Sequence, residues 1–170
     1  MFLRKKRKGY HKDGITDSKK LSEKKRKELF DVIKKDALGI GIGIVNADEI
    51  DELNIYEATK KSMKLAINNC NCNIEHVLID AMKLDLDIPS TSIIKGDAKS
   101  ISIAAASIIA KVTRDTMMYE LDKKYPMYGY KNHKGYPTKK HIEAINKYGL
   151  IEGYRKTYGP VKDYLENKLN

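Results

Sequence analysis

A chain of 170 residues with 41% apolar side chains is sized for one domain with a real core. Lys and Arg total 33 against 23 Asp and Glu, and the resulting formal charge of +10 favours a polyanionic partner such as nucleic acid over a neutral or acidic one. No apolar run approaches the roughly 18 residues of a membrane span, and MFLRKKRKGY lacks the apolar stretch of a signal peptide, so a cytoplasmic protein with no membrane partner is expected.

In chain order, RKKRK at residues 4–8 could hold a phosphate backbone, although residues 1–12 are expected to be disordered, as charged termini usually are. From Ser22, an N-cap residue, to Ala37, the positions Leu29, Phe30, Ile33 and Ala37 keep helical spacing with lysines opposite, an amphipathic surface helix. LGIGIGIV, residues 38–45, alternates isoleucine with glycine at the period of a strand, and its bare glycine face admits another backbone or a helix at close range. Asn46 with Glu49 resembles a capping arrangement, and Ile55, Thr59, Met63, Ala66 and Ile67 form a helical stripe.

Cys70 and Cys72 sit in NNCNCN without the second pair a zinc site would want, so reduced, structurally minor thiols are expected. A strand over residues 76–80 follows, then a loop with Pro89 and a short strand TSIIK, residues 91–95, ending at Gly96 and Asp97. Residues 100–124 read as a long helix whose first half, rich in Ala and Ser, can pack tightly on a sheet. A loop rich in Tyr, Gly and Lys leads to a helix from Thr138 to Tyr148 closed by Gly149, and a last helix begins near Pro160. The pattern is one α/β unit with a helical C-terminal part.

In open α/β sheets the ligand lies beyond the carboxyl ends of the strands, where Asp80 and Asp97 both fall. If the strands are neighbours the two carboxylates converge, and oxygen ligands of like charge call for Mg²⁺ or Mn²⁺ between them. In a basic protein this suggests metal-assisted phosphodiester chemistry; an Asp at a strand end also serves as an ordinary helix cap. YGYKNHKGY interleaves Tyr128, Tyr130 and Tyr136 with Lys131, His133 and Lys134, which offers ring faces to sugars or bases and cations to phosphates, or else a structural corner. His133 or His141 could be a general base, and Asp115 inside the long helix reads as structural.

DSKKLS (17–22), DELNIYEAT (51–59), HVLIDA (76–81), IIKGDAKSISIAAASIIAKVTRD (93–115) and YGYKNHKGYPTKKHIEAI (128–145), in this order, closely resemble the bacterial type 2 ribonuclease H family, ribonuclease HII. The resemblance implies an α/β fold with an RNase H-like mixed sheet, flanking helices and a helical C-terminal region, in a single domain covering residues 1–170. It implies metal-dependent endonucleolytic cleavage of the RNA strand of RNA/DNA hybrids, including 5′ of a ribonucleotide embedded in duplex DNA, by a monomer. Two of the family's four metal carboxylates map onto Asp80 and Asp97, which would be catalytic with Mn²⁺ or Mg²⁺. Tyr136 maps onto the tyrosine that stacks on deoxyribose, with Lys134 beside it, and Lys19 and Lys20 onto a region near the nucleic-acid backbone.

The family also opens on a strand bearing Asp-Glu-x-Gly-Arg-Gly. The sixteen residues ahead of DSKKLS hold neither an acidic pair nor the apolar runs of two strands, so the family's first two strands are expected to be missing through an N-terminal truncation. That loss should separate LGIGIGIV from the rest of the sheet, leave the chain unstable or open-edged, and weaken metal binding and activity. The alternative expectation is a non-catalytic nucleic-acid-binding remnant of the family.

Overall fold

The computed structural model describes residues 2–3 and 14–169, which fall into two compact units, one of residues 1–44 and 60–112 and the other of residues 45–59 and 113–170. Of the terminal residues expected to be disordered, Phe2–Leu3 form a strand, β1, while RKKRK lies outside the described residues.

In the first unit, helix α1 spans Glu23–Asp36 and starts where the sequence says it should, with Ser22 Oγ accepting the Lys25 N–H. Its apolar stripe, Leu29 and Ile33, is buried against Ala105, Ile108, Ile109 and Val112 of a long helix. Small residues on that helix allow the close approach, and Ile33 and Ile108 are the largest side chains fully withdrawn from water.

Strand β2 is shorter than the pattern predicts. It covers Ala37–Gly39 and pairs antiparallel with β1, and residues 40–46 carry no ladder. The glycines nevertheless do what their bare face implies. A Cβ at Gly41 would lie 1.9 Å from Ala66 O, and one at Gly43 would lie 1.8 Å from Ser62 O. The helical stretch from Lys60 to Asn68 therefore rests backbone to backbone on the glycine segment, and Asn69 Nδ2 donates to Ile42 O at 2.9 Å. At Ile42 the carbonyl is thus satisfied from a helix end in place of a neighbouring strand.

Strands β3, Val77–Asp80, and β4, Ser90–Ile93, run parallel in the register Val77 to Ser90 through Asp80 to Ile93. Alternation along β3 puts Val77 and Ile79 in an apolar cluster with Leu84, Met63 and Ile67, while Leu78 faces outwards. Among the described residues both pairings of a mixed sheet are present, as two separate two-stranded pieces.

In the second unit, helix α2, Ala47–Leu53, begins with the capping box read from Asn46 and Glu49. It buries none of its residues, so its ends are held by polar ties: Asp51 accepts the N–H groups of Lys156 and Thr157 at 2.6 and 3.1 Å, together with the Thr157 hydroxyl. Helix α3, Ile55–Asn68, starts after Asn54, which turns the chain at φ 74° and caps the new helix through its side chain; α3 begins in this unit and continues in the first. After α4, the single turn Gly96–Lys99, comes α5, Ile101–Lys124, the long helix whose first half belongs to the first unit and whose second half belongs to the second. Helices α6, Tyr130–His133, α7, Lys139–Tyr148, and α8, Gly159–Leu169, complete the chain. No helix among the described residues is long and apolar enough to cross a membrane.

Candidate active site

Asp80 closes β3, and Asp97 stands in the first turn of α4, four residues past the end of β4. Because the strands are adjacent and parallel, both acidic residues emerge at the same, carboxyl-terminal, end. The chain turns sharply at each. Ala81 has φ 54° and Lys95 has φ 56°, left-handed conformations that cost a non-glycine residue about 1–2 kcal/mol. The Ala81 N–H still reaches Ile93 O at 3.1 Å, so the ladder runs to its last rung before the chain departs. Strain of this kind on both sides of a pair of carboxylates is typical of a functional site.

A residue the sequence reading passed over holds the two together. The Gly96 N–H donates to Asp80 Oδ1 at 2.7 Å, a charge-assisted bond that fixes one carboxylate oxygen and leaves the other open. Gly96 is buried, and a Cβ there would meet Ile103 Cδ1 at 2.5 Å and Asp80 Oδ1 at 3.2 Å. The signal available in the sequence was glycine between a strand end and a helix start, where only a bare backbone fits. Asp80 and Asp97 are both half-buried. Among the described residues no group of three or more His, Cys, Asp or Glu is placed to hold a metal ion. Carboxylate oxygens are the donor type that a hard divalent cation such as Mg²⁺ takes, commonly one or two of them with water and phosphate oxygens completing the shell.

Lys19 and Lys20 are exposed on a 3-10 turn, Ser18–Lys20, in the same unit. Asp17 caps that turn, and buried Ser18 ties it to α5 through a 2.6 Å bond to Ser107 Oγ.

Tyr136 and Lys134 lie together in the other unit, on the turn that follows α6. Tyr136 is 59% exposed, with its ring on the surface. The Lys134 ammonium is 3.7 Å from the centre of the Tyr119 ring and also donates to Lys131 O, so it is held upright by its own surroundings. The remaining rings of YGYKNHKGY serve the corner. Tyr128 and Tyr130 are buried and stack at 5.6 Å, and His133 and His141 are buried and stack at 4.1 Å. Neither histidine is free to act as a general base, because both nitrogens of each are engaged. Burial holds His141 below the ordinary imidazole range, and burial raises the hydroxyl of Tyr154 beside it to about 12. Asp115 is buried in α5.

Adjacent parallel strands with half-buried carboxylates at and just beyond their carboxyl ends make this an α/β protein with a candidate site where open α/β sheets carry their ligands. The family profile described as Ribonuclease HII matches residues 1–158, and the chain belongs to that family. It is 60% identical over 156 residues to "Ribonuclease HII" of Bacillus cytotoxicus and 60% identical over 153 residues to that of a Bacillus cereus strain, covering 92% and 90% of this chain. The chain spans about 60% of the length of these curated relatives. The crystal structure of the ribonuclease H2 from Pyrococcus horikoshii OT3 superposes with a TM-score of 0.75 at 26% identity, covering 91% of this chain and 81% of that one.

Proposed function

We propose that this chain carries the chemistry of its family: metal-dependent hydrolysis of the RNA strand of RNA/DNA hybrids, including cleavage 5′ of a ribonucleotide embedded in duplex DNA, leaving 3′-hydroxyl and 5′-phosphate ends. The observation that carries this reading is the adjacency of β3 and β4, with the Gly96 N–H bound to Asp80 one residue before Asp97. Asp80 and Asp97 are the metal-holding catalytic residues. A divalent cation held there, Mg²⁺ or Mn²⁺, supplies charge neutralisation at the scissile phosphate and an acidified water. Tyr136 offers its exposed ring to a deoxyribose, and Lys134, Lys19 and Lys20 neutralise flanking phosphates, in keeping with the +10 charge. The protein works as a cytoplasmic monomer.

Two carboxylates bring two negative charges, enough for one cation and too few for a close pair of them, so cleavage by this chain is slow and needs high metal concentration. The test is a purified chain incubated with a duplex containing one ribonucleotide in Mn²⁺ or Mg²⁺. Nicking 5′ of the ribonucleotide that disappears in Asp80→Asn supports the reading, and undiminished nicking by the variant refutes the metal role. Salt-sensitive binding of the hybrid with no nicking at any metal concentration would establish the alternative, a nucleic-acid-binding remnant.

A further inference from the structure

The turn that presents Tyr136 is bound from below by three side chains. Lys134 and Gly135 both have positive φ, 51° and 81°, so the chain doubles back just before the tyrosine. Arg114 of α5 donates to Lys134 O at 3.4 Å. The Gly135 N–H donates to His133 Nδ1 at 3.2 Å, and His133 Nε2 faces Tyr128 O at 2.8 Å. A backbone N–H can only donate and a carbonyl only accept, which sets His133 as the neutral tautomer with its proton on Nε2.

His141, from the first turn of α7, completes the arrangement. Its Nδ1 lies 2.9 Å from Tyr136 O and therefore carries the proton, and its Nε2 accepts from the Tyr154 hydroxyl at 2.7 Å. Tyr154 in turn accepts from Tyr130 at 2.5 Å. Tyr136 O also receives the Thr138 N–H at 2.8 Å, so both its lone pairs are occupied. The two imidazoles stack at 4.1 Å and 14°, a geometry suited to two neutral rings and opposed to two charged ones.

We infer that His133 and His141 are positioning residues for nucleic-acid binding: a stacked, neutral imidazole pair that grips the backbone on both sides of the Lys134–Gly135–Tyr136 turn and so aims the Tyr136 ring. Neither touches the substrate. This rests on Tyr136 being a nucleic-acid contact, as proposed above.

Amide side chains separate the two ends of His141. In His141→Asn the amide nitrogen reproduces Nδ1 and keeps the bond to Tyr136 O; in His141→Gln the amide reproduces Nε2, keeping Tyr154 and losing Tyr136. Two readouts decide the matter on the full chain: anisotropy of a labelled hybrid duplex at 50 mM salt in EDTA, and amide hydrogen exchange of the peptide covering residues 133–138. Tyr136→Ala should weaken binding roughly tenfold, the stacking of one ring. His141→Gln should weaken it about fivefold, the worth of one hydrogen bond, and speed exchange. His141→Asn should stay within about twofold of the parent, and His141→Gln should add no further loss in the Tyr136→Ala background, since it acts through that ring.

If Tyr136→Ala weakens binding but the Asn and Gln variants behave alike in both readouts, the positioning role is overturned. A full additional loss from His141→Gln in the Tyr136→Ala background also overturns it. If Tyr136→Ala binds as well as the parent, the contact itself is refuted; faster exchange in Gln than in Asn would then show that the grip is real but serves no nucleic acid.

Discussion

The contact of α3 with the glycine segment makes Gly43→Ala the sharpest test of the fold. A methyl group at this position would stand 1.8 Å from Ser62 O and 2.8 Å from Ala66 N, both backbone atoms that no rotamer change can move. Ordinary contact begins at about 3.5 Å, so the helix must retreat by roughly 1.5 Å. That displacement breaks the Asn69 to Ile42 bond, worth about 1 kcal/mol. It also disturbs the cluster in which Met63 and Ile67 of α3 cover Val77 and Ile79 of β3, where overpacking strain is worth about 1–3 kcal/mol. The sum, about 2–4 kcal/mol, is a large part of a domain's typical stability of about 5–15 kcal/mol. Urea unfolding followed by far-UV circular dichroism should show the midpoint falling by about 1–2 M with an unchanged slope. Gly159→Ala, where a Cβ meets nothing within 4 Å, is the control and should be neutral within about 0.5 kcal/mol. A loss below about 1 kcal/mol for Gly43→Ala, or one equal to the control, would refute the backbone contact.

Three further expectations concern the site. In Gly96→Ala the tightest contact, 2.5 Å, is with the flexible end of Ile103, so the stability cost should be about 1 kcal/mol or less, while the crowding of Asp80 Oδ1 at 3.2 Å should lower nicking activity at least tenfold; parent-like activity would count against a fixed Asp80. Ala81→Gly removes the left-handed strain after Asp80 and should raise stability by about 0.5–1 kcal/mol in the same urea experiment, whereas a loss would mean that the Ala81 side chain is itself needed. His141 is held below its ordinary value of 6.5 by burial, with His133 adding to the effect and the bond to Tyr136 O opposing it. The unfolded chain therefore takes up a proton first as pH drops below about 6.5, and stability falls with pH from there by at most about 1.4 kcal/mol per unit, while above 6.5 this contribution is level. Melting temperatures at pH 7.5 and 5.5 should differ less in His141→Asn than in the parent, and equal differences would contradict a buried neutral ring.

Periodicity located most of the helices because the driving features are local. Ser22, Asn46 and Thr138 cap where they were expected to, and Gly149 closes α7. The close approach to Gly41 and Gly43 was legible as well, since alternating glycines leave one face bare. The length of β2 was not, because a strand is defined by its neighbour and the isoleucine pattern says nothing about which partner is at hand. At the site, Asp80 and Asp97 could be proposed from their positions near strand ends, whereas Gly96 showed in the sequence only as a glycine between a strand and a helix, and its bond to Asp80 did not, being made by an N–H that every residue except proline carries. The histidines stayed open for a related reason: an imidazole beside tyrosines and lysines has the composition of a reactive centre, and only the pairing of each nitrogen with a backbone group or Tyr154 reveals a fastening.

The tie between Asp51 and Thr157 has a consequence in time. Helix α2 buries nothing of its own, and its fixed partners lie more than one hundred residues further along, the Thr157 N–H being separated from Asp51 by 106 positions. At a synthesis rate of about 5–20 residues per second, the nascent helix waits about 5–20 s before those partners exist. The second unit, built from residues 45–59 and 113–170, is therefore completed only after the stretch from 60 to 112 has been made, and Asp51 meets Thr157 only when the last part of the chain emerges.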